Sequence, residues 1–268
     1  MRKIIRGNVT ASGIHLSELF DLSDVEILVS ETDNQNLGNF SCAKNTLTSL
    51  RGAPKIVDGG FYCDHNNLTS LKDAPLTVGG SFSCSFNKLI SLEHAPKNIK
   101  GSFECISNKL ISLEHGPTTV SRDFYCNENN LTSLEHGPVE VGRNYYCHNN
   151  QLTSLKGCNI ETLNGNFGCY NNQLISLEHA PKTIDGNFNC QNNKLVSLEG
   201  APHSVYGNFI CSDNKLDSLN GIPHTIYESF FISKELKTKF PQKYIRSLSN
   251  IEGDIVYTAP GDENPEDY

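Results

Sequence analysis

Cysteine spacing constrains this chain more than any other feature. Cys42, Cys63, Cys84, Cys105, Cys126, Cys147, Cys169, Cys190 and Cys211 follow one another at 21 residues, except for the 22 between Cys147 and Cys169. Around each lies one template, Phe-x-Cys-x-x-Asn-x-Leu-x-Ser-Leu, then Ala-Pro or Gly-Pro, then Val or Ile. The stretch from Phe82 through Cys84, Asn87, Leu89 and Leu92 to Ala95-Pro96 is a clear copy. A tenth, degraded copy begins at Phe230, with Ile232 in the cysteine's place. A unit this short cannot bury its own apolar residues, so a fixed period of this kind implies stacking.

Phe and Cys sit two apart, and in an extended segment both point to the same side while the residue between them points away. The proline that recurs once in most repeats, from Pro54 to Pro223, has no amide hydrogen and disfavours helix. Each unit is therefore expected to be a short strand, a turn at the asparagine and an extended or polyproline-like return. Asn45, Asn66, Asn87, Asn108, Asn129, Asn150, Asn172, Asn193 and Asn214 are expected to form a buried ladder whose amides satisfy turn backbone. The expected fold is mainly β: a solenoid with a parallel sheet on one face, few helices and a cap at each end. Residues 1–38 would form the N-terminal cap, 39–233 the solenoid, 234–259 the C-terminal cap and 260–268 an acidic flexible tail. In the C-terminal cap, Pro241 would open a helix with Tyr244, Ile245 and Leu248 on one covered face, and Ile255-Val256-Tyr257 would add a strand.

Phe-x-Cys-x-x-Asn-x-Leu resembles the Leu-x-Leu-x-x-Asn-x-Leu strand motif of leucine-rich-repeat proteins. The continuation, as in Leu131-Thr132-Ser133-Leu134, resembles their short bacterial class, found in pathogen effectors and in proteins of bacteria and tailed phages. Three departures stand out: one extra residue per repeat, cysteine where Val or Leu is usual, and a single proline in the turn. The resemblance implies a leucine-rich-repeat solenoid that binds protein, with a role in host–phage or host–microbe interaction. The ubiquitin-ligase activity of some such effectors is not expected, because no long C-terminal segment accompanies the repeats.

Charge narrows the function classes. The net charge is -8, but six carboxylates follow Arg246, the last basic residue, which leaves the rest nearly balanced. A nucleic-acid partner would call for a concentrated basic face, and none is visible. No apolar run approaches the roughly 20 residues that span a bilayer, and the start, Met1 to Gly7, lacks an apolar stretch of signal-peptide length. Neither nucleic acid nor membrane is an expected partner, and a cytoplasmic location follows (host cytoplasm if the chain is phage-encoded).

The cysteine row invites metal or disulfide readings. Stacked thiols point the same way, which strains a disulfide dihedral, and no Cys-x-x-Cys pair offers a zinc site. Reduced core packing is the expectation. Cys158, which replaces the Ala-Pro element in the 22-residue repeat, is either a reactive loop thiol or a buried stand-in for alanine. Glu93-His94, Glu114-His115, Glu135-His136 and Glu178-His179 recur on the returns and raise the idea of a metal or pH site. No catalytic residue, metal or cofactor is expected.

Function should lie where packing leaves residues free, on the outward strand positions. Tyr62, Glu104, Tyr125, Glu128, Tyr146, His148 and Tyr170 are the candidate partner-binding residues, with Gly168 leaving a notch beside them. The resulting expectation is a non-enzymatic module that recognises a protein through its strand face, as a phage or bacterial factor inhibiting a host defence or regulatory protein. The alternatives are a surface-displayed structural or adhesive repeat protein and a metal-dependent enzyme using the histidine row.

Overall fold

The computed structural model describes residues 38–259, together with the strands Lys3–Ile5, Val9–Thr10 and Val25–Ile27. Most of the expected N-terminal cap and all of the acidic tail lie outside the described residues. The chain divides into two compact units, Met1–Asn144 and Tyr145–Tyr268. Each is a parallel β-solenoid whose coils follow the sequence period.

In the first unit the strands Phe40–Ser41, Phe61–Tyr62, Phe82–Ser83, Phe103–Glu104 and Phe124–Tyr125 pair in parallel, Phe against Phe. Val9–Thr10 pairs with Phe40–Ser41 from the other side. In the second unit Tyr145–Tyr146, Phe167–Gly168, Phe188–Asn189, Phe209–Ile210 and Phe230–Ser233 do the same, and Ile255–Thr258 joins the last of them. Strands of two residues hold because everything behind them repeats. Ring centroids of successive phenylalanines lie 5.4 to 5.9 Å apart from Phe40 to Phe124, with planes nearly parallel. Every cysteine of the row is fully buried. The thiols also donate: Cys63 Sγ lies 3.3 Å from Ser83 O, and Cys211 Sγ lies 3.3 Å from Phe231 O, each acceptor on the next coil. Burial drives the thiol pKa upward, for Cys42 to about 12, so the thiol stays protonated and keeps its donor.

The asparagine ladder is present, and it joins coils as well as closing turns. Asn87 Nδ2 donates to Cys63 O of the preceding coil and to Cys84 O and Ser85 O of its own, while Asn87 Oδ1 accepts from Leu68 N. Asn193 repeats the pattern with Cys169 O, Cys190 O, Gln191 O and Leu174 N. The residue before each asparagine takes a left-handed backbone, as at Phe86 (φ 53°) and Asn192 (φ 51°), which turns the chain off the strand.

The returns are extended, as expected, and they also pair with one another. After the proline each coil forms a second short parallel ladder. In the first unit Ile56–Val57 pairs with Thr77–Val78, and Asn98–Ile99, Thr119–Val120 and Glu140–Val141 form a separate ladder. In the second the ladder runs from Thr162–Leu163 to Asn250–Ile251. Stacking brings each Val or Ile over its neighbour, and adjacent backbones then pair. The extra residue of the 22-residue repeat is absorbed before this ladder resumes. Ile160 is buried near the position of proline in other coils, and Thr162 is back in register with Thr183.

At the C-terminal end the helix spans Gln242–Leu248, with Pro241 just before it. Only Ile245 of the expected apolar face is buried; Tyr244 and Leu248 are 45% and 43% exposed. Seven residues make two turns, which bring too few side chains over the coil below. The helix instead secures the last coil through hydrogen bonds, Gln242 Nε2 to Ile255 O at 3.1 Å and Arg246 to Ile251 O and Gly253 O. The expected strand at Ile255 is there and runs to Thr258.

Candidate functional site

The inside–outside assignment holds: the cysteines are buried, whereas Tyr62, Glu104, Tyr125, Tyr146, His148 and Tyr170 are all half-buried on the opposite side of their strands. The two units carry different portions of the candidate set.

In the second unit the structure brings Tyr146, His148 and Tyr170 into one aromatic stack. His148 lies face to face with Tyr170, centroids 4.1 Å apart and planes 7° from parallel. Tyr146 meets His148 edge-on at 5.8 Å. The tyrosine is held at its far end as well, since Asn166 Nδ2 donates to Tyr146 Oη at 3.0 Å. Gly168 does not leave a notch. A Cβ there would come within 2.6 Å of Tyr146 Cδ1, so the missing side chain is the space in which the tyrosine ring lies. Burial under these rings lowers the His148 pKa to about 4, and its Nδ1 is enclosed without a hydrogen-bond partner. At neutral pH the stack is therefore uncharged.

In the first unit the strand register sets Tyr62, Ser83, Glu104 and Tyr125 side by side on consecutive strands. Glu104 accepts a hydrogen bond from Ser83, which is itself buried. Burial raises the Glu104 pKa, and the charges of Asp64 and Asp123 raise it further. Asp64, one coil position past Cys63, was not singled out by sequence reasoning, although its place in the repeat puts it on this face. Glu128 occupies a left-handed position (φ 56°) and accepts from Ser107 Oγ.

The Glu-His row has a backbone cause. His94, His115, His136 and His179 have φ between 65° and 71°, at the position where Gly52, Gly157, Gly200 and Gly221 stand in other coils. Histidine is among the non-glycine residues enriched in that conformation. His94 and His115 face their own glutamates at 3.8 and 3.6 Å. Among the described residues no three His, Cys, Asp or Glu side chains converge as a metal site would require. Cys158 stands in for alanine: it is buried, its N bonds Leu155 O as Ala53 N bonds Leu50 O, and burial pushes its pKa to about 11.

Two outer features escaped sequence reasoning. Tyr206 and Tyr227 stack at 4.4 Å on the returns of the second unit, both well exposed; their signal was tyrosine after the return Val or Ile in two successive repeats. A second polar ladder runs through the residue before most of the inward aromatic rings, as when Asn166 Oδ1 accepts from Asn187 N and Asn187 Oδ1 from Asn208 N. Recurrent Asn, Ser or Asp at that position was its signal.

Protein-family models, curated proteins and solved structures yield no match to this chain.

Proposed function

We propose that this chain is a non-enzymatic binding module of the leucine-rich-repeat type, similar to the short bacterial and phage class, that holds a protein partner against its outward strand residues. It contributes no chemistry and acts by occlusion, in the cytoplasm, on a host defence or regulatory protein. The stack of Tyr146, His148 and Tyr170 carries this reading. These rings take no part in the phenylalanine and cysteine interior, yet they are fixed before any partner arrives. Rigid aromatic area with polar tips is what interface hot spots are made of, because little side-chain entropy remains to be lost on binding.

The test is a binding titration of a partner recovered by affinity purification from the native host, against wild type and the double variant Tyr146→Ala/Tyr170→Ala. Two hot-spot losses of roughly 2 kcal/mol each predict affinity lower by a factor of about 1,000. The thermal melt should stay within a few degrees of wild type. Undiminished affinity in the folded double variant would place the contact surface elsewhere.

A further inference from the structure

We infer that the strand face of the first unit receives arginine side chains from a protein partner, with Glu104 as the central acceptor between Tyr62 and Tyr125. The inference rests on the binding-module reading and adds the chemistry of the partner. Its basis is an imbalance of charge. Glu104 is half-buried, it accepts from the neutral hydroxyl of Ser83, and Asp64 and Asp123 both press on it with like charge. Asp123 is satisfied by neutral donors too, Ser102 Oγ at 2.9 Å and Asn144 Nδ2 at 2.8 Å. Among the described residues no lysine or arginine makes an ion pair with Asp64, Glu104, Asp123 or Glu128; Asp64 has His65 alone, at 3.0 Å.

A carboxylate taken partly out of water beside two others is costly unless a cation joins it. Among the described residues the fold provides none, and an arginine brought by a partner supplies the complementary charge. Arginine suits the place better than lysine. Its planar guanidinium pairs with a carboxylate through two parallel hydrogen bonds and also stacks on tyrosine faces, and Tyr125 lies one strand from Glu104 with Tyr62 two strands away on the other side.

The experiment titrates the full chain with three end-blocked peptides, tetra-arginine, tetra-lysine and tetra-glutamate, by calorimetry at low salt. Tetra-arginine should bind at least tenfold more tightly than tetra-lysine, and tetra-glutamate should show no heat. Glu104→Gln/Asp64→Asn should weaken tetra-arginine at least tenfold. Glu93→Gln/Glu114→Gln, which removes the same charge from the exposed returns, should change it less than twofold. Equal weakening by the two double variants would reduce the effect to net charge and overturn the inference, as would equal affinity for arginine and lysine or no binding of tetra-arginine. None of these outcomes touches the aromatic stack of the second unit, so the arginine inference can fail while the binding-module reading stands. Loss of the natural partner's affinity in Tyr146→Ala/Tyr170→Ala speaks for that reading independently.

Discussion

The two units are built on the same interior and present different outer faces. Asn87 in one and Asn193 in the other make the same set of hydrogen bonds, and Phe103 and Phe188 sit in the same kind of stack. On the outside, one unit sets a half-buried carboxylate among tyrosines and the other an uncharged stack of His148 on Tyr170. The backbone beneath is the same two-residue strand in both. Stacking dictates the inward residues, because each must match the copy above and below. It places no such demand on the outward ones, so the chemistry of the face diverges while the coil does not.

The largest effects should therefore be equal in the two units. Phe103→Ala and Phe188→Ala each remove a fully buried ring and should each cost about 3–5 kcal/mol by urea denaturation. Asn87→Ala leaves Leu68 N and three carbonyls without their side-chain partner, and Asn193→Ala does the same to Leu174 N and three more; each should cost about 2–3 kcal/mol. Asn171, which belongs to an outer asparagine row, should lose only about 1 kcal/mol as alanine, the cost of a methyl side chain in a left-handed backbone (φ 53°) that asparagine tolerates. If Phe188→Ala were mild while Phe103→Ala was severe, the shared interior would be an illusion of sequence periodicity.

Acid should separate the faces. His148 has a folded pKa of about 4, lowered by burial from an ordinary value near 6.5. Between those values the unfolded chain takes a proton that the folded one refuses. Its contribution to stability is thus complete above pH 6.5 and lost as pH falls towards 4, on the order of 2 kcal/mol after allowance for its exposed edge. Glu104 behaves in the opposite sense. Its pKa is raised by burial and then by Asp64 and Asp123, so its contribution is complete below the ordinary carboxylate range and lost as pH rises through the raised value. Urea midpoints at pH 7 and pH 5 should show a smaller acid loss in His148→Phe than in wild type, and a gain at pH 7 in Glu104→Gln. An unchanged pH response in His148→Phe would mean that the imidazole is not desolvated.

Much of the coil was legible because its cause is repetition. Phe, Cys and Asn recur at one spacing, and alternation along a strand decides which side they face. The asparagine turns and the tenth coil at Phe230 were readable on the same ground. What escaped depends on contacts between residues that no single copy contains. The return ladder at Thr119–Val120 forms because neighbouring returns are brought together, not because two residues have strand character. The same reason explains Tyr244 and Leu248: their spacing fits one helix face, but a helix this short has only Ile245 within reach of the core. Of the candidate site, the half-buried outward side chains were readable from strand alternation. The charge environment of Glu104 and the orientation of Tyr146 were not, because both are set by residues on other coils.

Gly168 gives the finest test of how the second face is held. Its position sits between Tyr145–Tyr146 and Phe188–Asn189 on paired strands, where an alanine methyl would fall 2.6 Å from Tyr146 Cδ1 and 3.4 Å from Tyr170 Cε1. The nearest obstacle is a side-chain ring, which can swing away, unlike the Asp58 carbonyl that a methyl at Gly79 would meet at 2.0 Å. Gly168→Ala should therefore fold, at a cost of about 1 kcal/mol for the hydrogen bond that Tyr146 Oη loses from Asn166. With the tyrosine displaced, the edge-on contact to His148 opens and water reaches the imidazole. The His148 pKa should then rise from about 4 towards its ordinary value, which an imidazole proton titration by NMR reads directly. A titration identical to wild type in the folded variant would show that Tyr170 alone shields His148 and that Gly168 serves only the close passage of the strands.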